Sequence, residues 1–403
     1  MNKPVLITKM LTTNLGNAAL SSEFVSLSAR ADPTVLGRPF GLERYTLDRL
    51  RACDDPLATF LRWSDGLVAF SRVVPGRDTG GSVRVPAVQV LGESSMETSV
   101  SRRLAKGVRD AMLSALPFAP RYARRVRILR TASRILYSGA GEVGNYTAFL
   151  RQALELNAWI ALGVPAYAVN QSVVVTDPAL STVLQHVYSR LDGLIVRGER
   201  SRRLLVDLGI EPKRIEVAPD TAWLAPRHVS SRSPTGRVGI TINGDDPKTR
   251  EWGAVVEHLK RLGKTVVFLT SDAGYDLRVG RELALARGVT MTPPTTSYQE
   301  YSTSLADFDF VVTERLHTAE LAFVQRVPVI AVERGHHKTI EVFEMLGYPV
   351  PVIRREGQWT NAVMEAADFT VRNRGELYSF LESEVPRMVE QAELNARPAF
   401  ARP

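Results

Sequence analysis

FDFVVTERLHTAELAFVQRVPVIAV, residues 308–332, reads as strand, turn, helix and strand. The flanking runs, 308–313 and 327–332, are rich in β-branched residues and of strand length, and 317–326 between them is helical in pattern. A strand that feeds a helix and then a second strand makes parallel neighbours in a sheet covered by helices on both faces. Arg315 and His317 then fall in a turn at the carboxyl end of a buried strand, where open parallel sheets bind their ligands. Backbone N–H groups at the start of the next helix favour an anion there. Arginine adds a planar donor fork that fits carboxylate or phosphate, and histidine can donate a proton near neutral pH. The residues alone also allow a structural reading, with Arg315 in an ion pair and His317 capping the helix.

The same alternation runs through the whole chain. Strand-like runs lie at 5–8, 134–139, 165–170, 193–197 and 215–219, with a helix-like stretch at 145–163. SSRSPTGR (230–237) has no apolar residue and is the best linker candidate. The pattern then restarts with strand-like 238–242 and 265–270 and helix-like 250–263. We expect an α/β protein with two Rossmann-like domains facing one cleft, at 1–232 and 233–370. A C-terminal helix within 371–403 has Leu377, Phe380, Leu381 and Val385 at helical spacing, and it could cross back onto the first domain. Residues 37–134 give few clear elements.

Other turns follow strands in the same way. Asn14, Gly16 and Asn17 make a short turn into a helix, where backbone amides can meet a ligand. YSGAGEVGNY (137–146) contains Gly139, Gly141 and Gly144 in a G-x-G-x-x-G spacing. It lies mid-domain, and no acid closes the next strand, so nicotinamide or flavin is not expected. Arg197 ends the strand-like run 193–197 and is a second anion-binding candidate, with Ser201 as the hydroxyl of the same turn. Arg200, Arg202 and Arg203 read as a solvated helix face. After 327–332 comes a polar turn with His336, His337 and Lys338. The adjacent histidines lack i, i+4 spacing and a clear third ligand, so no metal is expected. Lys338 at a helix start opposes the helix dipole unless it faces an anion.

The chain has 403 residues, of which 44% are hydrophobic and 23% charged, enough for two cores. The single cysteine, Cys53, excludes an internal disulfide framework and a cysteine-cluster metal site, and it fits a reducing cytoplasm. The first residues carry too short an apolar run for a signal core. The longest apolar stretch, 158–169, is broken by Pro165 and is far short of the ~20 residues of a membrane span. We expect a soluble, cytoplasmic protein. Net charge is +8. Residues 99–134 hold Arg102, Arg103, Lys106, Arg109, Arg121, Arg124, Arg125, Arg127, Arg130 and Arg134 against the single acid Asp110. Such a segment could attract anionic lipid or a polyanionic substrate, or be a solvated helix face. No motif or aromatic interleaving supports nucleic-acid binding.

Together these stretches resemble the polysaccharide pyruvyl transferase family. TTNLGNAAL (12–20) is similar to its first-strand turn, and ILYSGAGEV (135–143) to its glycine turn, with Ala140 interrupting the usual glycine pair. IVRGERSRRLLVDLGI (195–210) is similar to its arginine-to-serine segment, with Gly198 where an acid is common. VAPDTAW (217–223), with Asp220, resembles the close of the first half. The strongest match is 307–347, with its Arg-Leu-His core, the Val-Pro strand after it and a lysine in the next turn. The resemblance implies a fold like the GT-B glycosyltransferases, with the first domain on the acceptor side and the second carrying the donor-binding turn. It implies phosphoenolpyruvate as donor, no cofactor, and a hydroxyl pair of a sugar as acceptor, in a bacterial-type exopolysaccharide or lipid-linked glycan. Arg197, Arg315, Leu316 and His317 fall on donor positions, and His317 is the expected acid. The basic segment 99–134 would then lie against the inner membrane face. A nucleotide-sugar glycosyltransferase and a non-catalytic anion- or glycan-binding protein of the same fold are the alternatives.

Overall fold

The computed structural model describes residues 3–8, 11–12, 14–36, 42, 45–73, 89–90, 120–139, 143–144, 147–228, 233–243, 249–272, 274 and 276–400. Two six-stranded sheets, all of whose pairings are parallel, carry the molecule. The first contains β1 (Lys3–Ile7), β3 (Thr34–Leu36), β5 (Ala132–Ser138), β6 (Ala166–Gln171), β7 (Gly193–Val196) and β8 (Ile215–Val217), in spatial order β3-β1-β5-β6-β7-β8. The second contains β9 (Arg237–Thr241), β10 (Thr265–Phe268), β11 (Thr290–Met291), β12 (Phe310–Thr313), β13 (Val329–Glu333) and β14 (Ile353–Arg354), in order β11-β10-β9-β12-β13-β14. That second order is the Rossmann arrangement. A separate pair joins β2 (Leu11–Thr12) to β4 (Gln89–Val90).

Both sheets are doubly covered, so their inner strands are largely apolar: every residue of β12 and β13 is buried, and the polar ones, Thr313 and Glu333, stand at the carboxyl ends. The direction of the chain reverses between β1 and β5 in the first sheet and between β9 and β12 in the second. Crevices open beyond the carboxyl ends of strands at such points. The turns at Asn14–Asn17, Gly139 and Arg315–His317 follow β1, β5 and β12 and so flank these two crevices.

The edge strands β3, β11 and β14 were not legible in the sequence. Each has only two or three residues. A run that short carries no period of its own, and its pairing is imposed by the neighbouring strand. Residues 37–134, sparse in sequence signals, supply the helices Leu47–Arg51, Pro56–Val73 and Pro120–Leu129. The basic segment there is not uniformly a surface. Arg125 is buried in a two-pronged ion pair with Glu155, 2.5 and 2.7 Å, and buried Arg134 donates to Pro398 O at 3.0 Å. Arg102, Arg103, Lys106 and Arg109 lie outside the described residues.

The two halves share a core. The helix Leu15–Ser28 places Leu15, Ala18, Ala19 and Leu20 in the apolar cluster of the second half, where alanines let backbones approach closely. Trp223 joins the same cluster and stacks on Phe323 with ring centroids 6.0 Å apart. At the far end, helix Arg374–Ala392 packs its Leu377, Leu381 and Val385 into the second half. The residues after it reach the first sheet: Asn395 accepts from Asn170 N–H at 2.9 Å and donates to Pro219 O at 2.8 Å. Among the described residues, no helix is long and apolar enough to cross a membrane.

Candidate active site

The site is assembled from strand ends of both sheets. Arg197 follows β7, and its side chain is 1% exposed. Burying a guanidinium requires a partner of opposite charge and full hydrogen bonding. Arg197 Nη1 donates to Asp220 Oδ2 at 2.6 Å, and Nε donates to Ser172 Oγ at 2.8 Å. Ser172 is delivered by an irregularity in β6. Asn170 adopts a left-handed conformation (φ 56°), and the pairing of β6 with β7 shifts between Ala168 and Gln171. Asparagine tolerates that region better than most residues, and here its amide is tied to Ser138 Oγ at 2.9 Å.

Asp220 follows β8 and caps the turn Thr221–Leu224, accepting from Ala222 N–H at 2.9 Å. Burial alone pushes its carboxyl up, but hydrogen bonding from His317 and the charge of Arg197 outweigh this and hold it well below the usual carboxylate range. A group depressed in this way stabilises the fold above its unfolded-state value and loses that contribution as pH falls through its folded value. Asp220→Asn would strand the Arg197 charge, and we expect a loss of about 3–5 kcal/mol in unfolding free energy. Denaturant titration measures it, and an unchanged midpoint would mean the pair contributes little.

His317 brings the second half to this pair. It sits in the first turn of the helix Leu316–Val324, and its Nε2 lies 3.4 Å from both Arg197 Nη1 and Asp220 Oδ2. Burial, Arg197 and Lys338 pull the imidazole below its ordinary pKa, against the opposing effect of Asp220. Gly16 packs directly on the ring. A Cβ at Gly16 would stand 2.0 Å from His317 Cβ and 2.7 Å from Nδ1. The helix that Gly16 opens is docked across the halves as well, with Leu15 N–H donating to Ser271 O at 2.9 Å and Asn14 bridging Asp272. Asn14 also caps that helix, its Oδ1 accepting from Asn17 N–H at 3.0 Å. The amides of Leu15 and Asn17 are therefore satisfied by protein partners, and this turn serves the contact between halves.

The remaining candidates are distributed as follows. Arg315 occupies the N-cap position of the helix Leu316–Val324 without a side-chain cap bond, and its guanidinium pairs with buried Asp276. Leu316 packs against the second core. Lys338 opens the helix Lys338–Leu346, and burial together with the nearby Arg197 lowers its ammonium to about 8. Gly139 is required by packing, since a Cβ there would meet the buried Gln171 amide at 2.6 Å. Gly141 and Ala140 lie outside the described residues. Of the histidines at 336 and 337, the second has its Nε2 3.7 Å from Glu341 Oε2.

Gly198 is accounted for by the other half. A Cβ there would stand 2.5 Å from Glu341 Cβ, so only glycine leaves room for Glu341 to enter. Glu341 then accepts from Ser201 N–H at 2.6 Å and from Ser201 Oγ at 3.0 Å. The carboxylate commonly expected next to the arginine is supplied to this turn by the second half. Arg200 likewise crosses over to Glu344, at 2.5 Å, and does not simply face solvent.

Glu320 is not marked as a site residue by the sequence pattern, and Asp220 stands out there only through the family resemblance. The available signal for Glu320 was a carboxylate three residues after His317 inside the otherwise apolar TAELAFV (318–324). Beyond this cluster, Glu314 at the end of β12 accepts from Asn243 N–H at 2.8 Å and pairs with Arg355 at 3.1 Å. Burial pushes its carboxyl up to about 7 against the pull of that amide and of Arg355, Arg334 and Arg315.

The family model for polysaccharide pyruvyl transferase matches residues 78–336. The chain belongs to the polysaccharide pyruvyl transferase family. Arg197, Asp220, Arg315, His317 and Glu320 lie inside the matched span of this family member, while Gly16 and Lys338 lie outside it. No curated protein sequence matches. Among solved structures, UDP-GlcNAc 2-epimerase from Neisseria meningitidis bound to UDP-GlcNAc is similar at 12% identity and TM-score 0.53, covering 98% of this chain and 99% of that one. The MnaA–UDP co-structure from S. aureus is similar at 12% identity and TM-score 0.54, covering 98% and 94%. UGT89C1 from Arabidopsis thaliana complexed with UDP-L-rhamnose is similar at 11% identity and TM-score 0.51, covering 98% and 97%. At such identities the likeness concerns the fold, and it makes this pyruvyl transferase family member GT-B-like.

Proposed function

We propose that the chain is a transferase that moves the pyruvyl group of phosphoenolpyruvate onto a hydroxyl pair of a sugar, giving a pyruvate ketal and phosphate. The observation that carries the reading is the meeting of Arg197 and His317, 3.4 Å apart, from two strand ends of different sheets in a chain of this family. Phosphoenolpyruvate brings a carboxylate and a phosphate, and the cations of the two halves suit that load. His317 protonates the methylene carbon and generates an oxocarbenium-like centre. One sugar hydroxyl attacks it, phosphate leaves, and the neighbouring hydroxyl closes the ketal. The scheme asks for no metal and no cofactor. The acceptor is a polysaccharide or lipid-linked glycan, and the enzyme works in the cytoplasm or against the inner membrane face.

Phosphate release from phosphoenolpyruvate over a panel of glycans tests the reading. Release that depends on one acceptor, with a ketal in the product, supports it; none with any acceptor counts against it. Nucleotide sugars form the control arm, because the GT-B-like neighbours include proteins solved with UDP or UDP-sugars. Stabilisation by a nucleotide sugar and not by phosphoenolpyruvate would favour a glycosyltransferase, and anion binding without turnover a non-catalytic protein.

Lys338 gives a pH signature. Its ammonium is lowered from 10.5 to about 8, so it is charged below that value and neutral above it. Donor affinity should therefore hold through neutral pH and fall by up to about tenfold per unit above pH 8. Lys338→Arg should remove that fall. A dissociation constant for phosphoenolpyruvate that stays flat to pH 10 would take Lys338 out of the donor site.

A further inference from the structure

Glu320 stands one helical turn after His317 on the helix Leu316–Val324, so the two share a face. Its side chain has no solvent exposure, and neither carboxylate oxygen completes a hydrogen bond among the described residues; the indole N–H of Trp223, equally without a completed bond, is the one donor that acts on it. An ionised carboxylate left that way is among the most costly groups a protein can bury. Its surroundings are Asp220, Arg197, His317 and the Trp223 indole, with His317 Nε2 4.0 Å from Glu320 Oε2. The ligating atoms of Asp220, His317 and Glu320 all lie within 4.8 Å of one another, close enough to suggest a cation. Yet Arg197 already stands in that position, 2.6 Å from Asp220 Oδ2 and 3.4 Å from His317 Nε2. The positive charge that would balance Asp220 is a guanidinium, which leaves Glu320 to be neutralised by a proton. Burial first, and Asp220 next, push its carboxyl well above the usual range.

We propose that Glu320 is a buried carboxylic acid that hands its proton to His317 when an anion docks beside the imidazole. The proposal rests on the reading above that an anionic donor binds here. Before docking, Glu320 is neutral, and His317 is a neutral imidazole, held so by burial and by Arg197 and Lys338, with its proton on Nδ1 and its Nε2 lone pair free to accept; Nε2 donates to Asp220 only once it is protonated. A docked anion offsets those cations and favours imidazolium. The O–H bond of Glu320 breaks and an N–H bond of His317 forms, with no proton taken from solvent. A small side-chain torsion or one bridging water spans the 4.0 Å gap. In turnover the imidazolium proton goes to the methylene carbon. Of the two protons the acceptor hydroxyls release, one returns through His317 to Glu320 and the other leaves on phosphate. The site ends the cycle with the proton count it began with. Glu320 acts through His317 and is thus a positioning residue in the proton path.

The test uses the full chain, wild type and Glu320→Gln, with phosphoenolpyruvate and with inorganic phosphate. Infrared difference spectra should show one protonated-carboxyl C=O band in the free wild type at neutral pH that is missing from E320Q. Saturation with either anion should remove that band. Calorimetry in two buffers of different ionisation enthalpy should give no net proton uptake for wild type, and about one proton drawn from buffer by E320Q. A band absent from the free protein, or one that persists with anion bound, overturns the proposal. So does one equivalent of divalent cation that co-purifies with wild type and not with E320Q, which would make the cluster a metal site. Band loss on phosphate binding without any binding of phosphoenolpyruvate keeps the Glu320–His317 pair and removes the donor reading instead. Binding of neither anion removes both.

Discussion

His317→Ala is expected to lower turnover by ~10²–10⁴-fold, the usual worth of a positioned general acid. Donor affinity should fall far less. The cations Arg197 and Lys338 remain, and the charge His317 gains on docking is matched by the one Glu320 acquires, so losing the imidazole leaves the net charge of the site unchanged. The separation of these two effects is the informative part. A residue needed only for packing would disturb both constants and the melting temperature together. Steady-state phosphate release with the donor varied, alongside direct binding of phosphoenolpyruvate, reads them apart. Wild-type turnover in this variant would remove His317 from the acid role.

The second large effect comes from a residue with no side chain. Gly16→Ala places a Cβ 2.0 Å from His317 Cβ, an atom fixed to the backbone and unable to swing aside. Either the ring or the whole contact between halves must move. A misplacement of about 1 Å can cost 10²-fold in rate, so we expect a kcat loss of that order. The variant should still fold, because both sheets keep their own strand pairings. Its signature is therefore lost turnover with an intact circular dichroism spectrum. Gly198→Ala, which would strike Glu341 Cβ at 2.5 Å, should act in the same way at the other contact. Undiminished kcat in Gly16→Ala would mean that the halves work without this close approach.

These two residues show how far local pattern reaches. His317 was legible because a β-branched run, a polar turn and a helix follow each other in sequence. Gly16 was legible only as part of a turn, and its role as the seat of an imidazole from the other half was not. Asn14 and Asn17 were expected to offer backbone amides to a ligand, and the local pattern did not disclose that the helix they open is docked on Ser271 and Asp272. Glu320 sits in an apolar helix, and nothing nearby in sequence states whether its partner is a cation, a proton or water. The edge strands escaped for a different reason: a strand of two residues has no period to detect.

By itself the sequence determined the alternation of strand and helix, its repetition in two α/β halves, and the presence of arginine and histidine at strand ends. These are local properties, set by side-chain periodicity and turn chemistry over a few residues. Only the tertiary structure decided that Arg197 meets His317 across 120 residues of chain, that Asp220 neutralises the one and orients the other, and that Glu341 fills the space Gly198 leaves. Those pairings depend on how closely two sheets approach. That distance is fixed by small residues such as Gly16, Ala18 and Ala19 packing against a surface their own sequence neighbourhood does not describe.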